Sequence, residues 1–241
     1  MAVGSHRRHS VRESPNNRRP DTTPYNPRTL RRAARQFAHD VHRDGCPTDR
    51  AFDRFLPESL RQLSSQYWSP LVVARRAAEW FDAAGVQRVV DIGSGAGKFC
   101  VAGALFGRCS FTGLEERPFL VKSARRLARL FDVNDRVRFV LGSLGDVPAP
   151  SGDAYYFYNP FGDYSFETDA VPRNRTAQEE RYRRDVAAAE DLLRGAPSGT
   201  WVLTFNGFGG RMPEGYELLR VDSELPSALR LWRRRSHSQA T

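Results

Sequence analysis

VVDIGSGAGKF, residues 89–99, indicates the fold of this chain more clearly than any other segment. It begins as a short apolar run typical of a buried strand and continues through three glycines at alternate positions, Gly93, Gly95 and Gly97. Glycine permits a tight turn and lets the backbone approach a ligand where a Cβ atom would clash. A helix beginning at about Lys98 would add free N–H groups beside that turn. The stretch therefore predicts a strand, a ligand-binding turn and a helix.

The residues around the glycines distinguish between classes of ligand. A nicotinamide-binding GxGxxG loop requires a small residue at position 98, where this chain has Lys98. A phosphate-binding P-loop requires Ser or Thr after its lysine, and Phe99 excludes it. The carboxylate of Asp91 would repel a pyrophosphate but attract a cationic group. These residues favour a ligand with a cationic amino-acid end.

Outward from this stretch, short apolar runs alternate with helical patterns. Strands are predicted at residues 88–92, 110–114, 137–141, 154–158, 200–205, 216–221 and 228–233, and helices at residues 98–106, 118–131 and 177–193. This alternation predicts an α/β fold with a doubly wound, mostly parallel, seven-stranded sheet covered by helices on both faces. In such a sheet the ligand binds beyond the carboxyl ends of the strands, where the strand order reverses.

The chain before residue 85 is organised differently. Residues 1–25 have no hydrophobic period and are predicted to form a disordered basic tail. Residues 26–84 are predicted to form an N-terminal helical cap, with helices at residues 26–43 and 69–84 and two short helices opened by Thr48 and Pro57. Residues 85–241 are the predicted ligand-binding core.

The net charge of +9 is concentrated near the N-terminus. Residues 1–35 contain nine arginines against Glu13 and Asp21, a net charge of +7, which leaves +2 for the rest of the chain. A basic tail on a nearly neutral body is typical of proteins that contact nucleic acid or another polyanion. The alternative is a solubilising tail in a chain that prefers arginine, because Lys98 and Lys122 are its only lysines.

Composition also bears on the cellular compartment. No stretch of the chain approaches the roughly 20 apolar residues that a membrane-spanning helix needs. The three cysteines, Cys46, Cys100 and Cys109, form no CxxC pair and have no metal-binding spacing. So sparse a set is typical of a reducing compartment. We therefore predict a cytoplasmic protein with no membrane contact and no metal.

The stretch from Asp91 to Gly97 resembles motif I, (D/E)xGxGxG, of the class I S-adenosylmethionine-dependent methyltransferases. The resemblance implies a Rossmann-like methyltransferase fold with S-adenosyl-L-methionine as cofactor. It also implies that Asp91, Gly93, Ser94, Gly95 and Gly97 bind the methionine end of that cofactor.

Three further positions match cofactor-binding positions of this family. Glu115 follows the second predicted strand, where a carboxylate can accept hydrogen bonds from both ribose hydroxyls. The family often has Asp where this chain has Ser143, so the resemblance implies that adenine is bound there, either by the Ser143 hydroxyl or by backbone groups. YWSP, residues 67–70, is similar to an element that closes over the methionine end in several nucleic-acid methyltransferases, which makes Trp68 a candidate cofactor contact. The alternative is that Tyr67 and Trp68 are core aromatics.

The fourth predicted strand leads into Asn159, Pro160 and Phe161. This triplet is similar to the (N/D/S)PP(Y/F) catalytic motif of methyltransferases that act on adenine, guanine or glutamine nitrogens. One proline is missing, and a similar Asn-x-Phe arrangement occurs in the non-SET histone lysine methyltransferases. The resemblance implies that Asn159 accepts the N–H bonds of a planar acceptor and that Phe161 stacks on it. The alternative is that Pro160 and Phe161 only turn the chain after the strand.

Together these features predict an S-adenosylmethionine-dependent methyltransferase that acts on a nitrogen of a macromolecule, which could be RNA, DNA or protein. The basic tail favours a macromolecular acceptor over a small molecule. Two alternatives remain, a small-molecule methyltransferase and a catalytically silent cofactor-binding subunit. A nucleotide-dependent oxidoreductase is disfavoured by Lys98.

Overall fold

The computed structural model describes residues 27–43, 45, 47–161 and 175–236. The predicted basic tail, residues 1–25, lies outside these residues, as does Cys46. The helices are α1 (Pro27–His42), α2 (Asp49–Asp53), α3 (Glu58–Arg61), α4 (Ser64–Tyr67), α5 (Leu71–Ala83), α6 (Lys98–Phe106), α7 (Pro118–Leu130) and α8 (Arg175–Gly195). The strands are β1 (Arg88–Ile92), β2 (Ser110–Glu115), β3 (Val137–Leu141), β4 (Ala154–Tyr158), β5 (Trp201–Phe205), β6 (Tyr216–Asp222) and β7 (Leu229–Arg234). Across these ranges, every helix is too short or too polar to cross a bilayer.

The sheet has the strand order β3-β2-β1-β4-β5-β7-β6. The five strands β1 to β5 are mutually parallel, while β7 is antiparallel to both β5 and β6. This topology confirms the predicted doubly wound, mostly parallel, seven-stranded sheet. The strand order reverses at β1, which pairs with β2 on one side and β4 on the other. The carboxyl end of β1 is therefore the expected position of a ligand.

Alternate residues of β1 face two separate cores. Val89 packs in one core with Phe99 of α6 and residues of α5 and α7. Val90 and Ile92 pack in the other core with Ala189 of α8. Because successive side chains of a strand point to opposite faces, helices cover both faces of the sheet.

Five helices precede the first strand, and aromatic side chains join them to the core. Phe37 of α1 and Phe52 of α2 lie with ring centroids 5.7 Å and 5.3 Å from that of Phe131, which follows α7. The short helix α4 is not predicted by the sequence, because SSQY carries no apolar period. Helix α5 begins at Leu71 rather than at residue 69, because Pro70 has extended backbone and the Leu71 N–H donates to Asp49 Oδ1 at 2.9 Å.

Candidate functional site

The turn after β1 brings together three of the segments that the sequence singles out. Gly93, Gly95 and Gly97 have φ angles of +74°, +56° and +80°, in the left-handed region that favours glycine. A Cβ atom on Gly93 would lie 2.7 Å from Pro160 Cβ, and one on Gly95 would lie 2.7 Å from Trp68 Cδ1. The glycines therefore let Pro160 and Trp68 pack directly on the turn.

Asp91 lies at the base of this turn, with 3% of its surface exposed. Burial raises the pKa of Asp91 to about 7, a hydrogen bond from Cys100 opposes the rise, and the nearby Glu115 carboxylate adds to it. The Cys100 Sγ atom donates to Asp91 Oδ2 at 3.2 Å. This contact between Cys100 and Asp91 was not predicted from the sequence. A cation placed beside Asp91 would favour the ionised carboxylate.

The second carboxylate of the site, Glu115, is buried at the end of β2 and is held on both oxygens. The Gly95 N–H donates to Glu115 Oε2 at 2.9 Å. The Arg117 guanidinium donates through Nε to Oε1 at 2.6 Å and through Nη2 to Oε2 at 3.2 Å. Arg117 is a site residue that the sequence analysis missed. Its guanidinium engages the same two oxygens that paired hydroxyls would use.

Ser94 adds a polar group with no hydrogen-bonding partner. Among the residues that the structure describes, its Oγ atom is the one buried side-chain nitrogen or oxygen that lacks a hydrogen bond. A Cβ atom on the neighbouring Gly113 of β2 would lie 2.6 Å from Ser94 Cβ, so Ser94 fits only beside a glycine. Leaving a buried hydroxyl unsatisfied costs about 1–3 kcal/mol. This hydroxyl is therefore suited to a polar group of a ligand.

Two small cavities meet at Gly93. The first, of about 40 Å³, is lined on one side by Glu115, Arg117 and Ser143 and on the other by Pro160 and Phe161. The second, of about 20 Å³, is lined by polar and aromatic residues, namely Tyr67, Trp68, Ser69, Asp91, Ser94, Lys98, Phe99, Tyr156 and Tyr158. Ligand sites typically measure about 300–1,000 Å³. A cofactor would therefore need side chains at these cavities to move, and Arg117 and Trp68 are in position to do so.

Lys98 connects the turn to the N-terminal helices. It is the first residue of α6 and is 2% exposed. Its Nζ atom lies 2.7 Å from Asp49 Oδ1 and 2.9 Å from Asp53 Oδ1, and it donates to Ser64 Oγ at 2.8 Å. The sequence analysis used Lys98 only to exclude a dinucleotide loop. The structure shows it as the ionic link between α2, α4 and the glycine turn.

Ser143 lies at the far side of the first cavity, after β3. Its hydroxyl donates to the carboxylate of Asp146, which is exposed to solvent. Asp146 was not singled out from the sequence, although it lies only three residues beyond the position where the family often has Asp. The pair places both a hydroxyl and a carboxylate at this end of the cavity.

Asn159 is exposed between the two cavities and lines neither of them. The two residues that flank it line different cavities: Tyr158 lines the second cavity and Pro160 lines the first. Its φ angle is +39°, and its N–H donates to the carbonyl oxygen of Gly207 at 2.9 Å. Phe161 is only 8% exposed and packs in the core beside α8, so its ring faces the side of Glu115 and Ser143 rather than that of Asp91.

A second asparagine lies beside Asn159 and was missed by the sequence analysis. Asn206 follows β5 directly, and its φ angle is +58°. Because Tyr158 pairs with Phe205 across β4 and β5, the two asparagines leave adjacent strand ends. Asparagine tolerates left-handed backbone better than most residues, and such conformations cluster at functional sites.

Comparisons with known proteins bear on the fold. No protein-family model matches the chain. No curated protein matches its sequence.

Solved structures do match. The mitomycin 7-O-methyltransferase MmcR is 17% identical with a TM-score of 0.51, over 86% of this chain and 66% of that one. The O-methyltransferase NcsB1 from neocarzinostatin biosynthesis, in complex with S-adenosylmethionine and 2-hydroxy-5-methyl naphthoic acid, is 18% identical with a TM-score of 0.50, over 76% of this chain and 57% of that one. An RNA methyltransferase from Salinibacter ruber, in complex with S-adenosyl-L-homocysteine, is 22% identical with a TM-score of 0.49, over 72% of this chain and 97% of that one. On the likeness to the first two structures and on its own sheet topology, this chain has the Rossmann-like fold of the class I S-adenosylmethionine-dependent methyltransferases.

Proposed function

We propose that this chain is an S-adenosylmethionine-dependent methyltransferase that acts on a nitrogen of a macromolecular acceptor. The observation that carries the proposal is the convergence of Asp91, Ser94 and Glu115 on one glycine turn at the switch point of the sheet. Two buried carboxylates and an unsatisfied hydroxyl are costly to the fold, so their retention there is best explained by a ligand that uses them.

The residues present fit this cofactor. Asp91 is suited to its ammonium group, the unsatisfied Ser94 hydroxyl to a polar group of its methionine part, and Glu115 to its ribose hydroxyls. Trp68 packs on Gly95 and would cover the same end. Ser143 and Phe161 line the cavity beyond Glu115 and are suited to the adenine ring. When bound, the cofactor supplies a methyl group activated by a sulfonium centre.

Asn159 is the residue that we propose to orient the acceptor. It is exposed at the end of β4, between Tyr158 on the methionine side and Pro160 on the other. Its backbone hydrogen bond to Gly207 fixes the strand end, which leaves the side-chain amide available to an acceptor. A neutral nitrogen carries its own lone pair, so the principal requirement is orientation. The amide oxygen can accept an N–H bond of the acceptor and thereby direct that lone pair.

A small molecule is the second candidate for the acceptor. Two of the similar solved structures are O-methyltransferases, and one of them is in complex with a naphthoic acid. The cytoplasmic location and the division into tail, helical cap and core stay predictions. The free thiols of Cys100 and Cys109 support the first of them.

Cofactor binding is tested by calorimetry with S-adenosyl-L-homocysteine, with NADH as the competing ligand. We expect the wild-type chain to bind S-adenosyl-L-homocysteine and not NADH. Glu115→Gln should weaken binding by about 10- to 100-fold, because hydrogen bonds to a charged group contribute about 1.5–3 kcal/mol. Glu217→Gln is the matched control, since Glu217 pairs with Arg235 and lines neither cavity. Binding of NADH alone would refute the proposal.

The acceptor is tested by labelling a cell extract with radioactive S-adenosylmethionine and the purified chain. Label that is sensitive to nuclease or protease supports a macromolecular acceptor and identifies its class. Label that appears only in the small-molecule fraction contradicts it and favours the second candidate. An absence of label from an extract, despite tight cofactor binding, would indicate the catalytically silent subunit.

A further inference from the structure

One face of α7 carries a continuous row of cations. We call it the basic stripe, which consists of Lys122, Arg125, Arg126 and Arg129 of α7 together with Arg31 of α1 and Arg138 of β3, all of them exposed. Helix α7 contains no acidic residue; Glu115 and Glu116 precede it, and Asp132 and Asp135 follow it. The stripe therefore concentrates positive charge in the folded part of the chain, outside the tail.

Two surface grooves run along this stripe and share Arg129. One, of about 240 Å³, is lined by Pro27, Leu30, Arg31, Arg126, Arg129 and Leu130. The other, of about 250 Å³, is lined by Arg125, Ala128, Arg129, Asn134, Val137, Arg138 and Phe139. Each groove combines guanidinium groups with an apolar floor. Guanidinium is the side chain best suited to bind phosphate through two parallel hydrogen bonds.

The arginines of α8, unlike the cations of the stripe, lie beside acidic residues of their own helix. Arg183 pairs with Glu179, and Arg194 pairs with Glu190 and Asp191 on the same helix. In the residues that the structure describes, by contrast, neither Lys122 nor Arg129 of α7 pairs with a carboxylate. These arginines of α8 are therefore matched by acids on their own helix, whereas Lys122 and Arg129 of the stripe are not.

The stripe also leads to the candidate site. Arg117, which precedes α7, lines the first cavity, and Phe119 in the first turn of α7 is 51% exposed. From Arg117 to Arg129 the helix advances about 18 Å at 1.5 Å per residue. That length spans about five phosphates of one strand at the 3.4 Å spacing of stacked B-form nucleotides, and fewer phosphates of an extended single strand. Exposed aromatic rings interleaved with cations are typical of surfaces that bind single strands.

We propose that the basic stripe binds the phosphate backbone of a single-stranded nucleic acid, with a base stacked on Phe119. The inference that this nucleic acid is the methyl acceptor rests on the proposed function. Binding of the nucleic acid to the stripe can be tested whether or not the chain transfers a methyl group.

The stripe is tested with the triple variant Lys122→Gln, Arg126→Gln, Arg129→Gln in the full chain. The matched control removes the same charge from Arg108, Arg183 and Arg235, which are exposed and pair with acids elsewhere. Fluorescence anisotropy with a labelled 20-nucleotide RNA, and with DNA of the same sequence, is measured over a range of KCl concentrations. The N-terminal segment is present in both variants, so a difference between them belongs to the stripe.

Loss of three phosphate contacts should reduce the slope of log affinity against log salt by about 2, at roughly 0.7 per contact for single strands. At 0.1 M salt that change corresponds to an affinity about 100-fold lower. The control triple should keep the wild-type slope and affinity to within a factor of about three. Comparison of the RNA with the DNA of the same sequence shows which of the two nucleic acids the stripe prefers.

Phe119→Ala should weaken binding of the single strand by about tenfold and leave binding of a duplex unchanged, because stacking requires an unpaired base. Val221→Ala, at an apolar residue of β6 that is also 51% exposed, is the control and should have no effect. Equal slopes for stripe and control variants would overturn the proposal. So would a stripe-dependent affinity for anionic vesicles or an acidic peptide without affinity for RNA or DNA.

Calorimetry with S-adenosyl-L-homocysteine on the same variants separates this proposal from the proposed function. The stripe residues lie outside both cavities, so cofactor affinity should be unchanged. A wild-type chain that binds RNA through the stripe and fails to bind S-adenosyl-L-homocysteine would contradict the proposed function alone.

Discussion

The indole of Trp68 lies directly against Gly95, and a Cβ atom at that glycine would lie 2.7 Å from Trp68 Cδ1. From the sequence, a larger residue at position 95 is expected to block the cofactor. In the structure, a Cβ atom at position 95 would clash with the Trp68 indole before it reached a bound cofactor. We therefore expect Gly95→Ala to displace Trp68 and weaken cofactor binding through that displacement.

Gly85→Ala is the control for this substitution. Gly85 also has a positive φ angle, +72°, but nothing lies within 4 Å of a Cβ atom there. Both variants should lose about 1–2 kcal/mol of stability through left-handed backbone alone. Only Gly95→Ala should lose more stability than that, and only Gly95→Ala should bind S-adenosyl-L-homocysteine more weakly in calorimetry. Equal thermal midpoints and affinities for the two variants would show that the Trp68 contact is unimportant.

Asp91 should make the stability of the protein depend on pH. Its folded-state pKa of about 7 lies above the ordinary value of 3.8, so the folded state retains a proton that the unfolded state has lost. The free energy of unfolding should therefore fall as pH rises from about 4 to about 7 and stay level above, a loss of roughly 4 kcal/mol at most. Asp91→Asn should consequently raise the thermal midpoint at pH 8 more than at pH 5. The same variant should lose cofactor affinity.

Lys98 should stabilise the N-terminal helices through its contacts with Asp49 and Asp53. Lys98→Met leaves both carboxylates without their cation, and breaking a buried pair costs about 3–5 kcal/mol. Because Asp49 is 44% exposed, we expect the lower figure, a fall of about 10 °C in thermal midpoint. Lys122→Met, at the only other lysine, is the control and should change the midpoint little. Adding Asp53→Asn to Lys98→Met should recover part of the loss, and its failure to do so would argue against the ionic link.

Asn159 is tested by Asn159→Gly rather than by alanine, because glycine accepts the φ angle of +39° without strain. Loss of one positioned polar group in a reacting site typically lowers turnover by about 100- to 1,000-fold. We expect a loss of that size in methyl transfer to the labelled extract fraction, with unchanged affinity for S-adenosyl-L-homocysteine. A variant that keeps full turnover would remove Asn159 from the proposed mechanism.

The elements of the sheet are predictable because each carries its own local signal. Strand β1 contains the apolar residues Val89, Val90 and Ile92 and is followed by a glycine turn, which makes its position predictable from the sequence. The contacts that shape the site are long-range. Lys98 pairs with residues more than 40 positions earlier, and Trp68 meets Gly95 from a different segment. No periodicity in the sequence encodes such contacts.

Arg117 illustrates a different limit. Its position two residues after Glu115 is visible in the sequence, but an arginine at the start of a helix has many available directions. Only the fold shows that its guanidinium turns back onto the carboxylate rather than towards solvent. The side-chain direction of Phe161 is unpredictable for the same reason, since a turn after a strand can send it to either side of the sheet.

The burial of Lys98 has a consequence for how a ligand would enter and leave. Lifting α2 and α4 from the glycine turn would separate a desolvated ammonium from two carboxylates and a hydroxyl at once. These helices should therefore behave as a fixed wall. Arg117 is better able to move, because its side chain is partly exposed. By rotating, it can exchange its contact with Glu115 for contacts with water. A cofactor would then enter and leave beside the carboxyl end of β2, close to the first turn of α7.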